Sequence, residues 1–447
     1  MPSRAGVRLT GWGQTDPAVA ELLEPRDASE LTDAIALARS RTARGAIPRG
    51  MGRSYGDAAQ RMAGVVLSGR GLSRFALDAE RGLLRAEGGA TLGEILAGVT
   101  AEGWMLPVVP GTQHVTVGGA IASDIHGKNH GTEGTFTRHV RWLTLAGSTG
   151  EVQKLEPGDE LFWATAGGMG LTGLIAEAEL QLRPLPGPLM SVDVDRVADL
   201  DEAFAALQAP GGAYRVAWLD LIASPHGRGV VTRAHHLPGG WSRLKAAPPA
   251  VPARAEVPLG APGGLLHPLT LRAFNALRFR AAPRRARGLV EPLGHHLFPL
   301  DGLESWPRLY GSRGFLQYQF VVPFGREEAV RGVIELLHWE HLPPFLVVLK
   351  DFALPGTGGL SFPVPGWTLA LDLARGLPGL DAALDRCDEL VAEAGGRVYL
   401  TKDSRMRPEM LPAMYPELGR WREARAAADP AKLWRSDLSE RTGLVAR

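Results

Sequence analysis

The stretch Arg49-Gly50-Met51-Gly52-Arg53-Ser54-Tyr55-Gly56-Asp57 carries three glycines in nine residues, too many for a helix or strand interior, and reads as a loop with a task. Upstream, residues 27–40 (DASELTDAIALARS) put Leu31, Ile35 and Ala38 on one helical face behind the cap candidates Asp27 and Ser29. Downstream, Val65-Val66-Leu67 and Leu83-Leu84-Arg85-Ala86 predict short strands, and Leu92 to Val99 a helix. Two more glycine-dense stretches follow. One runs from Pro110-Gly111-Thr112 through Val117-Gly118-Gly119-Ala120 to Asp124-Ile125-His126-Gly127-Lys128, and the other is Gly167-Gly168-Met169-Gly170-Leu171-Thr172-Gly173. Glycine tolerates positive φ and lets main-chain N–H groups approach an anion, so such loops can cradle a pyrophosphate with little side-chain charge. A dinucleotide is the natural ligand; the plainer reading is a protein with many tight turns, since Gly 56 in 447 residues also permits that.

Two literal motifs point elsewhere. Gly52-Arg53-Ser54-Tyr55-Gly56 fits G-x-S-x-G, the hydrolase nucleophile elbow, which needs a strand before it; Arg49-Gly50-Met51 predicts none. Gly168 to Gly173 fits G-x-G-x-x-G, but Asp159 to Thr165 before it is helical in pattern and Leu174 to Leu182 after it alternates like a strand. That is the reverse of a dinucleotide-binding βαβ unit. The P-loop pattern G-x-x-x-x-G-K-[ST] does not occur in these loops.

A chain of 447 residues predicts two domains. Hydrophobic residues at 45% and charged residues at 22% predict an ordinary folded core. Lys+Arg 49 against Asp+Glu 48 gives a net charge of +1 and no whole-molecule attraction to nucleic acid. The single cysteine, Cys387, excludes an intramolecular disulfide and a Cys-based zinc site. The first residues lack the apolar core of a signal peptide, and no run of 18 apolar residues predicts a transmembrane helix; a cytoplasmic protein, or one peripheral at the cell membrane, is expected.

Past Pro184-Leu185-Pro186-Gly187-Pro188 the glycine clusters thin out, which places a domain boundary there. Tyr214 to Ile222, Gly314 to Val322 and Trp367 to Leu373 alternate like strands, while Glu327 to Leu337 and Leu380 to Glu393 have helical periodicity. The class is α+β, with the second domain, 189–399, built on an antiparallel sheet. Residues 241–290 stand apart: nine Lys or Arg face the single acid Glu256, with seven prolines among them. They predict either a disordered insertion or a mobile lid that meets anionic lipid through basic residues interleaved with Leu265, Leu266, Leu269, Leu271, Phe274, Leu277 and Phe279.

The first loop, PGTQHVTVGGAIASDIHGKNH from Pro110, ELFWATAGGMGLTGLI from Glu160, GFLQYQFVVP from Gly314, LSFPVPGW from Leu360 and YLTKDSR from Tyr399 together resemble the decaprenylphosphoryl-β-D-ribose 2-oxidase family of the vanillyl-alcohol-oxidase (PCMH-type) FAD superfamily. The resemblance implies a two-domain PCMH-type fold: an FAD domain over 1–188, completed by about 400–447, and a substrate domain capping the flavin. It implies cofactor contacts from Pro48, Arg49, Gly50, Met51, Gly52, Arg53, Ser54, Tyr55, Gly56, Asp57 and Ala58. Further contacts would come from Gly111, Thr116, Val117, Gly118, Gly119, Ser123, Asp124, Ile125, His126, Ile175 and Tyr399. Related oxidases with covalent flavin carry histidine where Arg53 stands, so dissociable FAD is expected.

Lys402, flanked by His126, matches the family's active-site lysine; without the resemblance it would read as a surface partner of Asp403. A lysine pKa near 10.4 suits a general base at neutral pH only if burial or neighbouring cations lower it. Lys128, Trp218, Gln317 and Gln319 match substrate-pocket positions, where amides and a cation suit ribose hydroxyls and phosphate. Leu297, Val347 and Leu349 align with pocket positions expected to be polar, and Cys387 misses the family's pocket cysteine, which weakens the substrate match. His126 and His130 are four apart but in a loop, so no metal is expected. The implied reaction takes a polyprenyl-phosphate ribose to its 2-keto form on the way to arabinan of the cell wall, with a separate NAD(P)H-dependent reductase as the next enzyme. The alternatives are a soluble alditol or aldonolactone oxidase, and a catalytically silent membrane- or partner-binding module.

Overall fold

The computed structural model describes residues 1–222, 227–241, 251–258 and 266–445. The N-terminal part holds two sheets. Strands Ser3–Leu9, Ala18–Leu23, Val65–Ser68 and Ala46–Arg49 lie side by side in that order, the last two pairings parallel. The crossover helix Ala28–Arg41 is capped by Asp27, whose carboxylate accepts from Glu30 N at 2.9 Å, and it buries Leu31, Ala34, Ile35 and Ala38. A five-stranded antiparallel sheet follows, in the order Phe75–Asp78, Leu83–Glu87, Leu174–Gln181, Val140–Ala146, Val152–Leu155. The predicted helix Leu92–Val99 is entered through a Thr91–Glu94 capping box.

The larger part of the chain forms an eight-stranded antiparallel sheet in the order Arg285–Pro292, Leu189–Val197, Arg228–Leu237, Tyr214–Asp220, Val347–Phe352, Gly366–Ala374, Phe315–Pro323, Arg397–Val398. Side chains alternate between its faces. Leu316, Tyr318, Phe320, Val347, Leu349, Leu369, Leu371 and Leu373 point to a core shared with helices Glu327–Trp339 and Leu380–Glu393, where Cys387 is buried. The opposite face, including Gln317, Gln319, Val348, Lys350 and Ala370, looks into a large cavity. The α+β class and the antiparallel second sheet are as expected.

After helix Leu418–Ala428 the chain returns to the first sheet: Ala46 N donates to Leu433 O at 2.7 Å, and Arg435 N to Ala46 O at 2.8 Å. Among the described residues no helix is long and apolar enough to cross a membrane.

Three expectations change. A strand, Ala46–Arg49, does precede the first glycine loop; the hydrolase reading fails instead because no helix follows Gly56. The second glycine stretch is not all loop, since Val117–Ala122 is a short helix capped by Thr116. A disordered insertion over 241–290 gives way, for residues 268–290, to helix Pro268–Ala281 and an edge strand that pairs with Leu189–Val197. The expectation for 242–250 and 259–265 lies outside the described residues.

Candidate functional site

The cavity, of about 1050 Å³, lies between the glycine loops and the open face of the eight-stranded sheet. Drug-sized ligands occupy pockets of roughly 300–1,000 Å³, so this one suits a large ligand or two adjacent ones. Its N-terminal wall is the first loop. The peptide unit joining Ser54 to Tyr55 is held from both sides, by Trp12 N donating to Ser54 O at 2.7 Å and by Tyr55 N donating to Thr401 O at 2.9 Å. Ahead of that anchor the N–H groups of Met51, Gly52, Arg53 and Ser54 meet no acceptor among the described residues, although all four residues line the cavity. Four successive unanswered amides are costly unless an anion or water takes them, and a run of free N–H groups in a glycine loop suits phosphate. The loop reaches this shape by close backbone approach: a Cβ on Gly50 would stand 2.3 Å from Thr116 Oγ1, and one on Gly56 2.0 Å from Asp403 O. The residues present therefore fit a diphosphate-bearing cofactor at this wall.

Most residues expected to hold a cofactor lie here: Pro48, Arg49, Gly50, Met51, Gly52, Arg53, Ser54, Tyr55, Ala58, Gly111, Thr116, Gly118, Gly119, Ser123, Ile125, His126, Ile175 and Tyr399 all line the cavity. Four do not. Gly56 is packed on Asp403, Asp57 is paired with Arg441, Val117 is in the core, and Asp124 accepts from Ser361 Oγ at 2.6 Å and Thr137 N at 3.2 Å. Their duty is to shape the loops. Gly118 N is already committed to Gly88 O at 2.8 Å and Gly119 N to Thr116 Oγ1 at 3.2 Å, so these two contribute shape rather than donors.

Lys402, Lys128, Trp218, Gln317 and Gln319 line the other half of the cavity. Lys402 is not a surface residue, and it does not pair with Asp403. Its Nζ stands 3.7 Å from the centroid of the Tyr55 ring, while Asp403 binds Arg441 at 2.8 Å. Burial pushes the Lys402 ammonium down to about 7, the Asp372 carboxylate opposing and the Lys350 charge assisting. Asp372, fully buried, is raised to about 7 by burial, against its hydrogen bonds from Gln317 Nε2 (2.6 Å) and Tyr310 Oη (3.4 Å) and the charge of Lys402. Gln317 Nε2 also lies 3.4 Å from Tyr55 Oη.

His126 is held neutral by burial and by the charges of Lys350 and Lys402. Its Nε2 lies 3.2 Å from Gln319 Nε2, and its Nδ1 has no partner among the described residues. Lys128 and Lys350 are both lowered to about 8, first by burial. Lys128 Nζ donates to His296 O, which leaves it two further N–H groups.

The pocket alignment of Leu297, Val347 and Leu349 is corrected: all three are buried in the core clusters, not in the cavity. A one-residue shift along a strand reverses the face, and the cavity is met by Leu346, Val348 and Lys350. Of the three, only Lys350 puts a polar group on the cavity face. Lys350 and Asp372 were missed, although Lys350 shares its face with Val348, and Asp372 with Ala370, by simple alternation. His130 packs on Phe352 with ring centroids 4.3 Å apart, and no group of three His, Cys, Asp or Glu side chains among the described residues is placed to hold a metal.

Comparison with known proteins agrees with this geometry. A family model described as an FAD binding domain matches residues 19–156, which include the first two glycine loops. The chain is 37% identical to a decaprenylphosphoryl-β-D-ribose oxidase of Mycolicibacterium smegmatis over 98% of both chains. It is 41% identical to an uncharacterised Streptomyces coelicolor protein over 79% of this chain and 100% of that one. An alditol oxidase from a Streptomyces species is more distant, at 27% identity over 52% of this chain and 59% of its own. With an FAD-domain match laid over the first two glycine loops and 37% identity over 98% of both chains, the chain belongs to the decaprenylphosphoryl-β-D-ribose oxidase family and is an FAD-dependent oxidoreductase acting on CH–OH groups.

Proposed function

We propose that the protein oxidises the ribose 2-hydroxyl of a polyprenylphosphoryl-β-D-ribose to the 2-keto sugar, the first half of an epimerisation that a separate NAD(P)H-dependent reductase completes. The observation that carries this reading is the set of three desolvated lysines, Lys128, Lys350 and Lys402, in the cavity that also holds the free amides. Desolvated cations that form no salt bridge among the described residues favour an anionic substrate, and a sugar phosphate supplies the charge that a free alditol lacks. The name of the Mycolicibacterium relative supports the same substrate.

FAD, when bound, supplies the acceptor for the hydride that leaves the carbinol carbon. The chain's own residues handle the proton and the pose. Lys402, with a pKa of about 7, takes the hydroxyl proton when neutral and holds the hydroxyl by an N–H when charged. Gln317 and Gln319 offer amides to the ribose, each braced from behind, by Asp372 at 2.6 Å and by Thr368 Oγ1 at 3.2 Å. Lys128 and Lys350, with pKa values of about 8, stay mostly charged at neutral pH and meet the phosphate.

Anaerobic mixing of the holoenzyme with a prenylphosphoryl ribose is expected to bleach the flavin, and free alditols are not. The rate should rise with pH through about 7, because Lys402 gives up its proton there. Bleaching by alditols alone would assign the protein to the soluble-sugar oxidases. The position of Arg53, whose guanidinium carbon lies 3.7 Å from the Trp12 ring centroid, supports dissociable FAD. Acid precipitation should leave the yellow colour in the supernatant; a yellow pellet would mean a covalent link.

A further inference from the structure

Helix Pro268–Ala281 is amphipathic the wrong way round for a soluble protein. At about 100° per residue, Leu269, Ala273, Phe274 and Leu277 fall within an arc of roughly 140°. That arc faces solvent: Leu269, Phe274 and Leu277 are 68%, 58% and 69% exposed. The inward side is anchored by polar contacts as well as apolar ones, with buried Asn275 donating to Asp220 Oδ1 at 3.0 Å and Arg278 lying over the Trp218 ring at 4.6 Å. On the edge strand Arg285–Pro292 that follows the helix, Leu289 and Val290 are also exposed, at 46% and 57%. An apolar helix face turned to solvent marks a site of contact with a membrane or a partner.

Charge decides between those occupants. Arg285 and Arg287 are answered by Asp193 and Asp195, but Arg272, Arg280 and Arg284 are exposed and have no carboxylate partner among the described residues. Two copies of this basic face would repel each other, and a nucleic acid would leave the leucines and phenylalanine without a partner. An anionic bilayer satisfies both features at once, basic side chains at the headgroups and apolar ones below them. The helix is also continuous with the site, for Arg278, Ala281 and Ala282 line the cavity.

We infer that the outward face of helix Pro268–Ala281, with Arg272, Arg280 and Arg284 around it, forms the surface by which the protein lies on an anionic membrane, and that a lipid-linked substrate passes from the bilayer along this helix into the cavity. The second half of the inference rests on the substrate reading above; the first does not. The test is co-sedimentation of the FAD-loaded full chain with vesicles of phosphatidylglycerol and phosphatidylcholine, against phosphatidylcholine alone. Wild type should sediment with the anionic vesicles. The triple variant Leu269→Ser, Phe274→Ser, Leu277→Ser and the pair Arg280→Glu, Arg284→Glu should each partition about tenfold more weakly or worse.

Both variants should keep the flavin spectrum and the bleaching rate with a short-chain prenylphosphoryl ribose free in solution, which shows that they fold. Wild type that ignores anionic vesicles, or variants that bind as wild type does, would overturn the inference. A wild-type dimer in buffer that the triple variant splits would give the face to a second copy and overturn it too. Wild type that binds vesicles while no prenylphosphoryl ribose bleaches its flavin would leave the membrane surface standing and sink the substrate reading instead.

Discussion

Replacing Lys402 by Ala is expected to leave FAD bound and to slow substrate-dependent bleaching by about 10²–10⁴-fold, the usual worth of a positioned general base. The cofactor wall should survive, because the turn bearing Lys402 is held by its main chain. Lys402 N donates to Tyr399 O at 2.8 Å and Thr401 O accepts from Tyr55 N at 2.9 Å, and neither bond needs the side chain. Lys402→Arg separates two roles that alanine cannot. Arginine keeps the charge but stays protonated at any working pH, so it can orient a hydroxyl and cannot take its proton. If the Arg variant recovers most of the rate, Lys402 acts as an orienting cation; if it is as slow as the Ala variant and the limb near pH 7 has gone, Lys402 is the base. Rapid-mixing absorbance under anaerobic conditions reads both, and an unimpaired Ala variant would remove Lys402 from the reaction.

Arg441→Ala should destabilise the protein by about 3–5 kcal/mol, the cost of leaving buried carboxylates without their counter-charge. Arg441 donates to both oxygens of Asp57 at 2.8 and 3.0 Å, to Asp403 Oδ2 at 2.8 Å and to Met406 O at 3.1 Å. Asp57 ends the first glycine loop and Asp403 follows Lys402, so one guanidinium from the C-terminal segment clamps the cofactor wall to the catalytic turn. The pH dependence has a definite sign. Burial alone would raise the Asp403 carboxyl, but the Arg441 charge and the N–H groups of Arg405 and Met406 hold it below its ordinary value. Its contribution is therefore present above the unfolded carboxylate range and is lost as pH falls through the folded value. The gap between wild type and Arg441→Ala, measured by denaturant unfolding, should be widest near neutrality and shrink on acidification. A gap independent of pH would mean that Arg441 acts by packing alone.

Local rules carried much of this architecture. Helix Leu92–Val99 was legible to the residue from its apolar periodicity, and strands such as Phe315–Pro323 and Gly366–Ala374 were legible by alternation. Strand Ala46–Arg49 was hidden because it is four residues long and contains a proline. Helix Pro268–Ala281 was hidden because its apolar residues fall on both sides, Leu269, Phe274 and Leu277 outward and Leu271 inward, so no single stripe stands out among the arginines. At the site, the glycine loops were readable as loops, but which amides remain free depends on partners as distant as Thr401, Gly88 and Ala90. Asp372 was unreadable as a site residue, since its importance comes from Gln317, Tyr310 and Lys402 converging on it from other segments.

Every step of the chemistry presupposes that the N–H groups of Met51 to Ser54 close on the diphosphate of FAD. Titrating flavin-stripped protein with FAD and following flavin fluorescence tests this most directly. The expected result is saturable uptake at one FAD per chain, competed by ADP and restoring substrate-dependent bleaching. A stripped protein that stays colourless at any FAD concentration, while remaining folded by circular dichroism, would contradict it.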